Sequence, residues 1–190
     1  MTDHNTLASR YLHALEAGED TTKLEAEMDA DTDALTQRLH APGALLSAAL
    51  WYAQQGLRIF PLQPFGKIPL PGSKGFKDAT TDEAQIRAWW KVNPDFNIGV
   101  ATGHRFDVID FDGPEAVAYG YTHDVWPPVL GRVSTPRPGG NHWYVEATGA
   151  GNRAGMAPHV DYRGVGGYVV APPSRTEQGD YEWLQPLVTA

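Results

Sequence analysis

The positions of glycine and proline most constrain the fold of this 190-residue chain. It contains 20 glycines and 15 prolines, and only Gly18, Pro42 and Gly43 precede Gly56. Because both residue types interrupt helices, we expect helices mainly in the first part of the chain and short strands joined by turns in the rest. This order predicts the α+β class, with a helical N-terminal segment followed by a core of mixed or antiparallel sheet.

Apolar periodicity and turn residues predict the individual elements. Predicted helices cover residues 7–17, 22–39, 44–55 and 81–92, and a further one begins at Pro114. We expect Thr81 to cap the fourth helix and Gly113 to cap the last one. Predicted strands cover residues 57–62, 97–101, 106–111, 132–135, 142–146, 160–162 and 167–171, with 181–184 as a candidate last strand. The glycines and prolines of residues 61–75 predict a loop.

The charge of the chain is unevenly distributed. Its net charge is −8, and residues 1–40 hold nine acidic and three basic residues, a net of −6. Residues 41–190 hold 14 acidic and 12 basic residues, a net of −2. The overall charge is therefore only weak evidence against nucleic-acid binding and does not exclude it. We interpret residues 1–40 as an acidic helical extension and residues 41–190 as a separate folded domain.

The absence of certain residues and segments also narrows the class of protein. The chain contains no cysteine, which excludes disulfides and cysteine-ligated zinc and fits a cytoplasmic protein. No segment approaches the ~20 apolar residues of a membrane span, and the N-terminus has no secretory signal pattern. We therefore expect a protein without a membrane partner.

The segment FDVIDFDG at residues 106–113 is the first candidate site. On a strand, Asp110 and Asp112 share a face with Phe106 and Val108, so two carboxylates lie together at the C-terminal end of an apolar face. Such a pair is unfavourable unless a positive charge compensates it, and a divalent metal ion commonly does. The alternative is a simple turn at Asp112 with Asp110 exposed beside it.

Two later segments supply further candidate groups. In PGGNHWYV, residues 138–145, a glycine pair allows close approach of the backbone to a ligand, and His142 begins an apolar strand. In VDYRGVGGYVVAPPS, residues 160–174, Asp161 and Arg163 share one face. These two side chains form either a salt bridge or a metal ligand beside a phosphate-binding guanidinium. A lone histidine at a strand start is more often structural.

The basic and aromatic residues that precede these motifs each allow two interpretations. Lys67, Lys74 and Lys77 lie in or just after the predicted loop, where they either keep the loop soluble or contact phosphates. Trp89 and Trp90 belong to a predicted helix and are more typical of a core than of a base-stacking surface.

The order of these motifs resembles the archaeo-eukaryotic primase superfamily. The closer similarity is to the primase–polymerase (prim-pol) domain at the N-terminus of plasmid and phage replication proteins. The resemblance covers about residues 45–174 and includes the segments PLQPFGKIPL, GFKDATTD and NIGVATG. It implies a core of the archaeo-eukaryotic primase type in residues 41–190 and template-directed nucleotidyl transfer, as a DNA primase or DNA polymerase, in plasmid or phage replication.

The resemblance also implies roles for individual residues. Three carboxylates would bind two Mg²⁺ or Mn²⁺ ions, those of Asp110, Asp112 and Asp161. His142 would act with them as a catalytic residue that contacts the phosphates of the incoming nucleotide. Arg163 and Lys67 would bind further phosphates or the template. The expected partners are a single-stranded DNA template, a primer, nucleoside triphosphates and, in a longer protein, a helicase domain, within a bacterial or phage-infected cell.

Two departures from the family pattern are visible. Gly140 stands where the family's second motif often has a serine, so a hydroxyl contact is missing there. No zinc is expected, because the cysteines of the zinc-binding element of some relatives are absent. Primer extension is therefore better supported than the synthesis of a new primer.

Three other functions fit parts of the pattern. A metal-dependent nuclease would use the same carboxylates with water as the nucleophile. A replication-initiator module would bind DNA or a partner protein without catalysis. An iron or manganese oxygenase would need a second histidine ligand, and His104, His123 and His159 lie outside any recognisable triad spacing.

Overall fold

The computed structural model describes residues 10, 14, 17–27, 43–123 and 126–188. The chain divides into two compact units, Met1–Ala41 and Pro42–Ala190. In the first unit, residues 22–27 are helical. The remainder of the helix predicted over 22–39, and most of the one predicted over 7–17, lies outside the described residues.

The second unit contains three α-helices and eleven strands among its described residues. The helices are α1 (Ala44–Gln54), α2 (Glu83–Val92) and α3 (Pro114–Thr122), and Gly75–Asp78 forms one 3₁₀ turn. The strands are β1 (Ile59–Leu62), β2 (Asn97–Ala101), β3 (Phe106–Phe111), β4 (Val129–Ser134), β5 (Asn141–Glu146), β6 (Arg153–Ala157), β7 (Val160–Arg163), β8 (Tyr168–Ala171), β9 (Arg175–Thr176), β10 (Gly179–Asp180) and β11 (Glu182–Gln185).

All strand pairs in the sheets of the second unit are antiparallel. Six strands form the larger sheet in the order β11-β4-β5-β3-β7-β6, and a smaller sheet has the order β1-β2-β8. The short strands β9 and β10 form a hairpin. The predicted α+β class with antiparallel sheets is thereby confirmed for the second unit. None of the described helices is of a length and apolarity that would carry it across a membrane.

The larger sheet is covered on both faces. One face carries Ile109, Phe111 and Trp143, which belong to a buried cluster that also includes Ala116 of α3. The opposite face carries Tyr144, whose ring lies 5.2 Å from that of Trp183, which in turn lies near Tyr52 of α1. The middle of β3 and β5 is apolar on both faces, and Asp110 and His142 lie near the ends of these two strands.

The smaller sheet is buried throughout β1 and β2, and α1 and α2 pack against it. Gly99 of β2 lies opposite Phe60 of β1. A Cβ atom at Gly99 would come within 2.6 Å of the Phe60 ring, so the strand requires glycine there. This close packing sets the position of β2 beside β8, which contributes to the candidate site.

Several predicted boundaries differ from the structure. Thr81 is not the cap of α2, because Asp82 takes that position and its carboxylate accepts a hydrogen bond from the Ala84 N–H at 2.9 Å. Gly113 and Pro114 occupy the predicted positions at the start of α3. Three strands were not predicted, β6, β9 and β10. Strand β6 (RAGMA) is a largely exposed edge strand without apolar alternation, so it lacks the sequence pattern of a strand.

Candidate active site

The pairing of three strands brings three separate sequence motifs together. Asp110 of β3 lies directly opposite His142 of β5 and directly opposite Asp161 of β7. Directly opposed residues of an antiparallel pair project from the same face, with Cβ atoms about 5 Å apart. The larger sheet therefore presents a row of two carboxylates and an imidazole across β7, β3 and β5.

Arg163 connects the two carboxylates of this row. Its Nη2 atom lies 2.8 Å from Asp161 Oδ2 and 3.3 Å from Asp110 Oδ2. Arg163 is two residues beyond Asp161 on the same strand face, which is why its side chain can reach both. One guanidinium thus offsets the repulsion between two neighbouring negative charges.

Asp112 lies just beyond the end of β3 and is held separately. Its backbone N–H donates to the His159 carbonyl at 2.9 Å. Its carboxylate forms an ion pair with Arg137, with 3.2 Å between Oδ1 and Nε. Each of the three predicted carboxylates is therefore paired with a guanidinium group.

His142 is buried at the centre of the site. Its Nε2 atom lies 3.6 Å from Asp110 Oδ1, and its buried Nδ1 atom has no hydrogen-bond partner among the described residues. Burial lowers the pKa of His142, and the positive charges of Arg163 and Lys67 lower it further, whereas Asp110 opposes this shift. The imidazole is consequently neutral near pH 7 and keeps one N–H donor.

This burial predicts a pH effect on stability. At pH values between the ordinary histidine pKa of about 6.5 and the lowered pKa of His142 in the folded protein, His142 binds a proton in the unfolded chain but not in the folded one. Stability from this source is present above pH 6.5 and falls as the pH decreases. We expect the free energy of unfolding in urea to drop more for wild type than for His142→Gln between about pH 7.5 and pH 5.5. Equal drops in the two proteins would contradict this.

The row of polar residues opens onto a cleft between the two sheets. The cleft has a volume of about 420 Å³ and is open to solvent. Five of the six predicted site residues line it, namely Lys67, Asp110, Asp112, His142 and Arg163. Asp161 does not line it directly. It lies on β7, the strand next to β3, contacts the cleft residue Arg163, and accepts a hydrogen bond from the Gly155 N–H at 2.8 Å.

Sequence reasoning missed two prominent residues of the cleft, Arg137 and Tyr181. Arg137 directly precedes the PGG segment, and its closeness to the glycine pair was a usable signal. Tyr181 has no local signal, because it enters the cleft only when the β9–β10 hairpin folds back and the Tyr181 N–H donates to the Ser174 carbonyl. Burial, together with the charges of Asp110 and Asp112, raises the pKa of Tyr181.

Lys67 also reaches the cleft from the predicted loop. Its Nζ atom lies 5.9 Å from the centroid of the Tyr181 ring, a cation–π distance. Gly140, where the family pattern often has serine, sits in the turn before β5. A Cβ atom at Gly140 would collide with the hydroxyl of Thr135, which itself lines the cleft. The cleft therefore contains a hydroxyl beside Gly140 although the serine is absent.

The second aspartate of β3, Asp107, lies outside the cleft. Asp107 is fully buried on the opposite face of β3 from Asp110. Its Oδ2 atom accepts hydrogen bonds from the Tyr162 hydroxyl, from the Thr148 hydroxyl at 3.1 Å and from the Thr148 N–H at 2.8 Å. Burial, and secondarily the hydrogen bond to Asp107, raises the pKa of Tyr162. Asp107 therefore connects β3, β7 and the segment after β5 and does not face the cleft.

The donor atoms of the site fit a hard divalent cation. Carboxylate oxygens are the ligands that Mg²⁺ and Mn²⁺ prefer. In the described part of the chain, no three His, Asp or Glu side chains already stand in the arrangement of a metal centre. The carboxylates of Asp110 and Asp161 both contact Arg163. A cation between these two carboxylates would have to replace the guanidinium there.

Paired carboxylates, a neutral imidazole and two guanidinium groups surround one open cleft, and such groups can bind phosphates and divalent cations. Residues 49–190 match the family model of the bifunctional DNA primase/polymerase N-terminal domain, Prim-Pol. This match covers most of the chain, so the protein belongs to the Prim-Pol family and its general function is of the primase/polymerase type in DNA replication. No curated protein sequence matches the chain.

Proposed function

We propose that residues 41–190 catalyse template-directed addition of nucleotides to a primer, in plasmid or phage DNA replication. The observation that carries the proposal is the row Asp161, Asp110 and His142 across three strands at the edge of an open cleft. Membership of the Prim-Pol family supports it, because that family is described as bifunctional primase and polymerase.

The charges of the cleft fit a nucleoside triphosphate bound together with metal ions. The two carboxylates that line the cleft, together with Asp161 beside it, are balanced by three cations, Lys67, Arg137 and Arg163, while His142 is neutral. A triphosphate adds about four negative charges to this balanced set, and additional positive charge must accompany it. Two Mg²⁺ or Mn²⁺ ions held by Asp110, Asp112 and Asp161 would supply that charge and activate the 3′-hydroxyl of the primer.

The side chains of the chain itself bind and orient the triphosphate. Arg163 and Arg137 present planar guanidinium groups, which match pairs of phosphate oxygens. His142, buried and neutral, donates one N–H toward the transferred phosphate without adding charge to the site. His142 is buried and its ring lies 5.7 Å from the Tyr181 ring, so packing limits the rotation of the imidazole.

Arg163 has a specific consequence for metal binding. Because its guanidinium lies between Asp110 and Asp161, metal ions compete with it for those carboxylates. We expect Arg163→Gln to bind Mn²⁺ about tenfold more tightly than wild type when no nucleotide is present. Titration followed by the electron paramagnetic resonance signal of free Mn²⁺ measures this affinity independently of catalysis.

A matched variant controls for the loss of one positive charge. Arg87→Gln removes a guanidinium that pairs with Glu83 on an exposed helical surface outside the cleft. Its Mn²⁺ affinity is expected to equal that of wild type. Weaker Mn²⁺ binding by Arg163→Gln, with thermal melting unchanged, would show that Arg163 supports the metal-binding carboxylates and would contradict the competition.

A gel assay distinguishes the proposed polymerase from its rivals. A 5′-labelled primer on a single-stranded DNA template is incubated with nucleoside triphosphates and Mg²⁺ or Mn²⁺, beside a double Asp110→Ala, Asp112→Ala variant. The proposal predicts longer products that need triphosphates and disappear in the double variant. Shortened primer would indicate a nuclease. No change of primer length with either metal, from a folded protein that binds DNA, would favour the non-catalytic initiator module.

A further inference from the structure

The segment that delivers Lys67 to the cleft carries a second feature. Residues 63–78, here called the basic hairpin, begin with a tight turn closed by a bridge between Leu62 and Pro69. Three lysines and one aspartate give the basic hairpin a net positive charge in an acidic chain. At the tip of its turn, Phe65 is 54% exposed, and the neighbouring Ile68 is 59% exposed. An aromatic ring and an aliphatic side chain of this basic segment thus project into solvent.

The backbone of this turn is held in place from below. The amide of Asn97, which is fully buried, donates to the Gly66 carbonyl at 2.9 Å and to the Arg175 carbonyl. The Tyr168 hydroxyl donates to the Lys67 carbonyl at 3.2 Å. These bonds attach the tip of the turn to β2 and β8, so the exposed ring stands on a fixed base. A surface that is ordered before binding loses less entropy when a partner binds.

Phe65 also has an unusual backbone conformation. Its φ angle is +55°, in the left-handed region that bulky residues seldom adopt. Glycine or asparagine would adopt this backbone conformation more easily than phenylalanine does. In contrast to Trp51 and Tyr121, Phe65 makes no contact with another aromatic ring among the described residues. Its ring is thus available to a partner.

We propose that the basic hairpin binds single-stranded DNA, with the Phe65 ring stacked on an unpaired base and Lys74 and Lys77 beside the phosphates. Proteins that bind single strands combine aromatic platforms with basic grooves in this way. Lys67 lies two residues from Phe65 and lines the cleft, so the stacked base lies at the edge of the cleft. The inference rests on the proposed function, because the bound strand is the unpaired template that leads into the site.

The test is the affinity for a fluorescein-labelled oligo-dT of 20 nucleotides, measured by anisotropy in EDTA so that no metal chemistry contributes. We expect Phe65→Ala and Phe65→Leu to weaken binding about tenfold, and Phe65→Tyr to bind as wild type does. Leu184→Ala, which removes another exposed apolar side chain, is expected to have no effect. Lys74→Ala and Lys77→Ala are expected to lower the slope of log affinity against log salt by about 0.7 each.

The outcomes separate this inference from the proposed function. Failure of wild type to bind oligo-dT, or equal binding by Phe65→Ala and wild type, overturns the hairpin proposal even if the protein extends primers. If Phe65→Leu binds oligo-dT as tightly as Phe65→Tyr does, the stacking contact is contradicted, because an aliphatic side chain alone then suffices. Phe65-dependent binding by a protein that extends no primer supports the hairpin proposal and contradicts polymerisation. If a blunt duplex binds as tightly as oligo-dT and Phe65→Ala does not weaken that binding, only phosphate contacts are involved, and the hairpin proposal is also overturned.

Discussion

Asp110→Asn is expected to reduce the rate of nucleotide incorporation by about a hundredfold to a thousandfold while the protein remains folded. Asp110 is the central residue of the row, opposite both His142 and Asp161, and its carboxylate contacts Arg163. Asparagine keeps the size of the side chain but lacks the charge needed to hold a cation. The remaining pair of Arg163 with Asp161 preserves the local packing.

The measurement is the initial rate of primer extension, compared between wild type and Asp110→Asn at equal protein concentration. Thermal melting of both proteins shows whether the change is confined to activity. A variant that extends primers within tenfold of wild type would mean that Asp110 holds no essential cation. A variant that is inactive because it is unfolded would mean that the row is structural.

In contrast to Asp110→Asn, Asp107→Ala is expected to cause a large loss of stability. The substitution removes a fully buried acceptor of three hydrogen bonds, from the Tyr162 hydroxyl and from the hydroxyl and N–H of Thr148, and leaves the two hydroxyls only each other as acceptors. Breaking such a buried network costs about 2–4 kcal/mol of the free energy of unfolding. Since the side chain faces away from the cleft, no contact to a substrate is lost.

Urea unfolding at pH 7.5 measures this loss against wild type. A useful comparison is Asp95→Ala, in an exposed turn outside the cleft, which is expected to change the free energy of unfolding by less than about 0.5 kcal/mol. Unfolding free energies of Asp107→Ala and wild type that agree within 0.5 kcal/mol would show that the network carries no net stability. Asp107 and Asp110, three residues apart in β3, thus serve as controls for each other.

The sequence indicated the site strands because their alternation is regular. Strand β3 was predicted with its observed bounds, and Asp110 lies on the predicted face, toward the cleft. The alternation also separates Asp107 from Asp110, since they fall on opposite faces. What the sequence could not indicate is that β3 lies between β5 and β7. That pairing is non-local and sets Asp110 opposite both His142 and Asp161.

The unpredicted parts of the site depend on tertiary structure. Arg137 reaches Asp112 only because the turn of residues 135–140 closes through hydrogen bonds between Thr135, Gly140 and Arg137. Tyr181 arrives at the cleft through a hairpin of two-residue strands, which are too short to give a periodic pattern. The cap of α2 was misplaced by one position because Thr81 and Asp82 are both favourable capping residues.

The most direct test of the central claim is whether the template base selects the nucleotide that is added. Four primed templates that differ only in the first unpaired base are each incubated with wild-type protein, Mn²⁺ or Mg²⁺ and one labelled nucleoside triphosphate at a time. The proposed function predicts that the primer grows by one residue in the four complementary combinations and that Asp110→Asn abolishes this growth. Incorporation that ignores the template base, or none in any combination from a folded protein, would contradict template-directed nucleotidyl transfer.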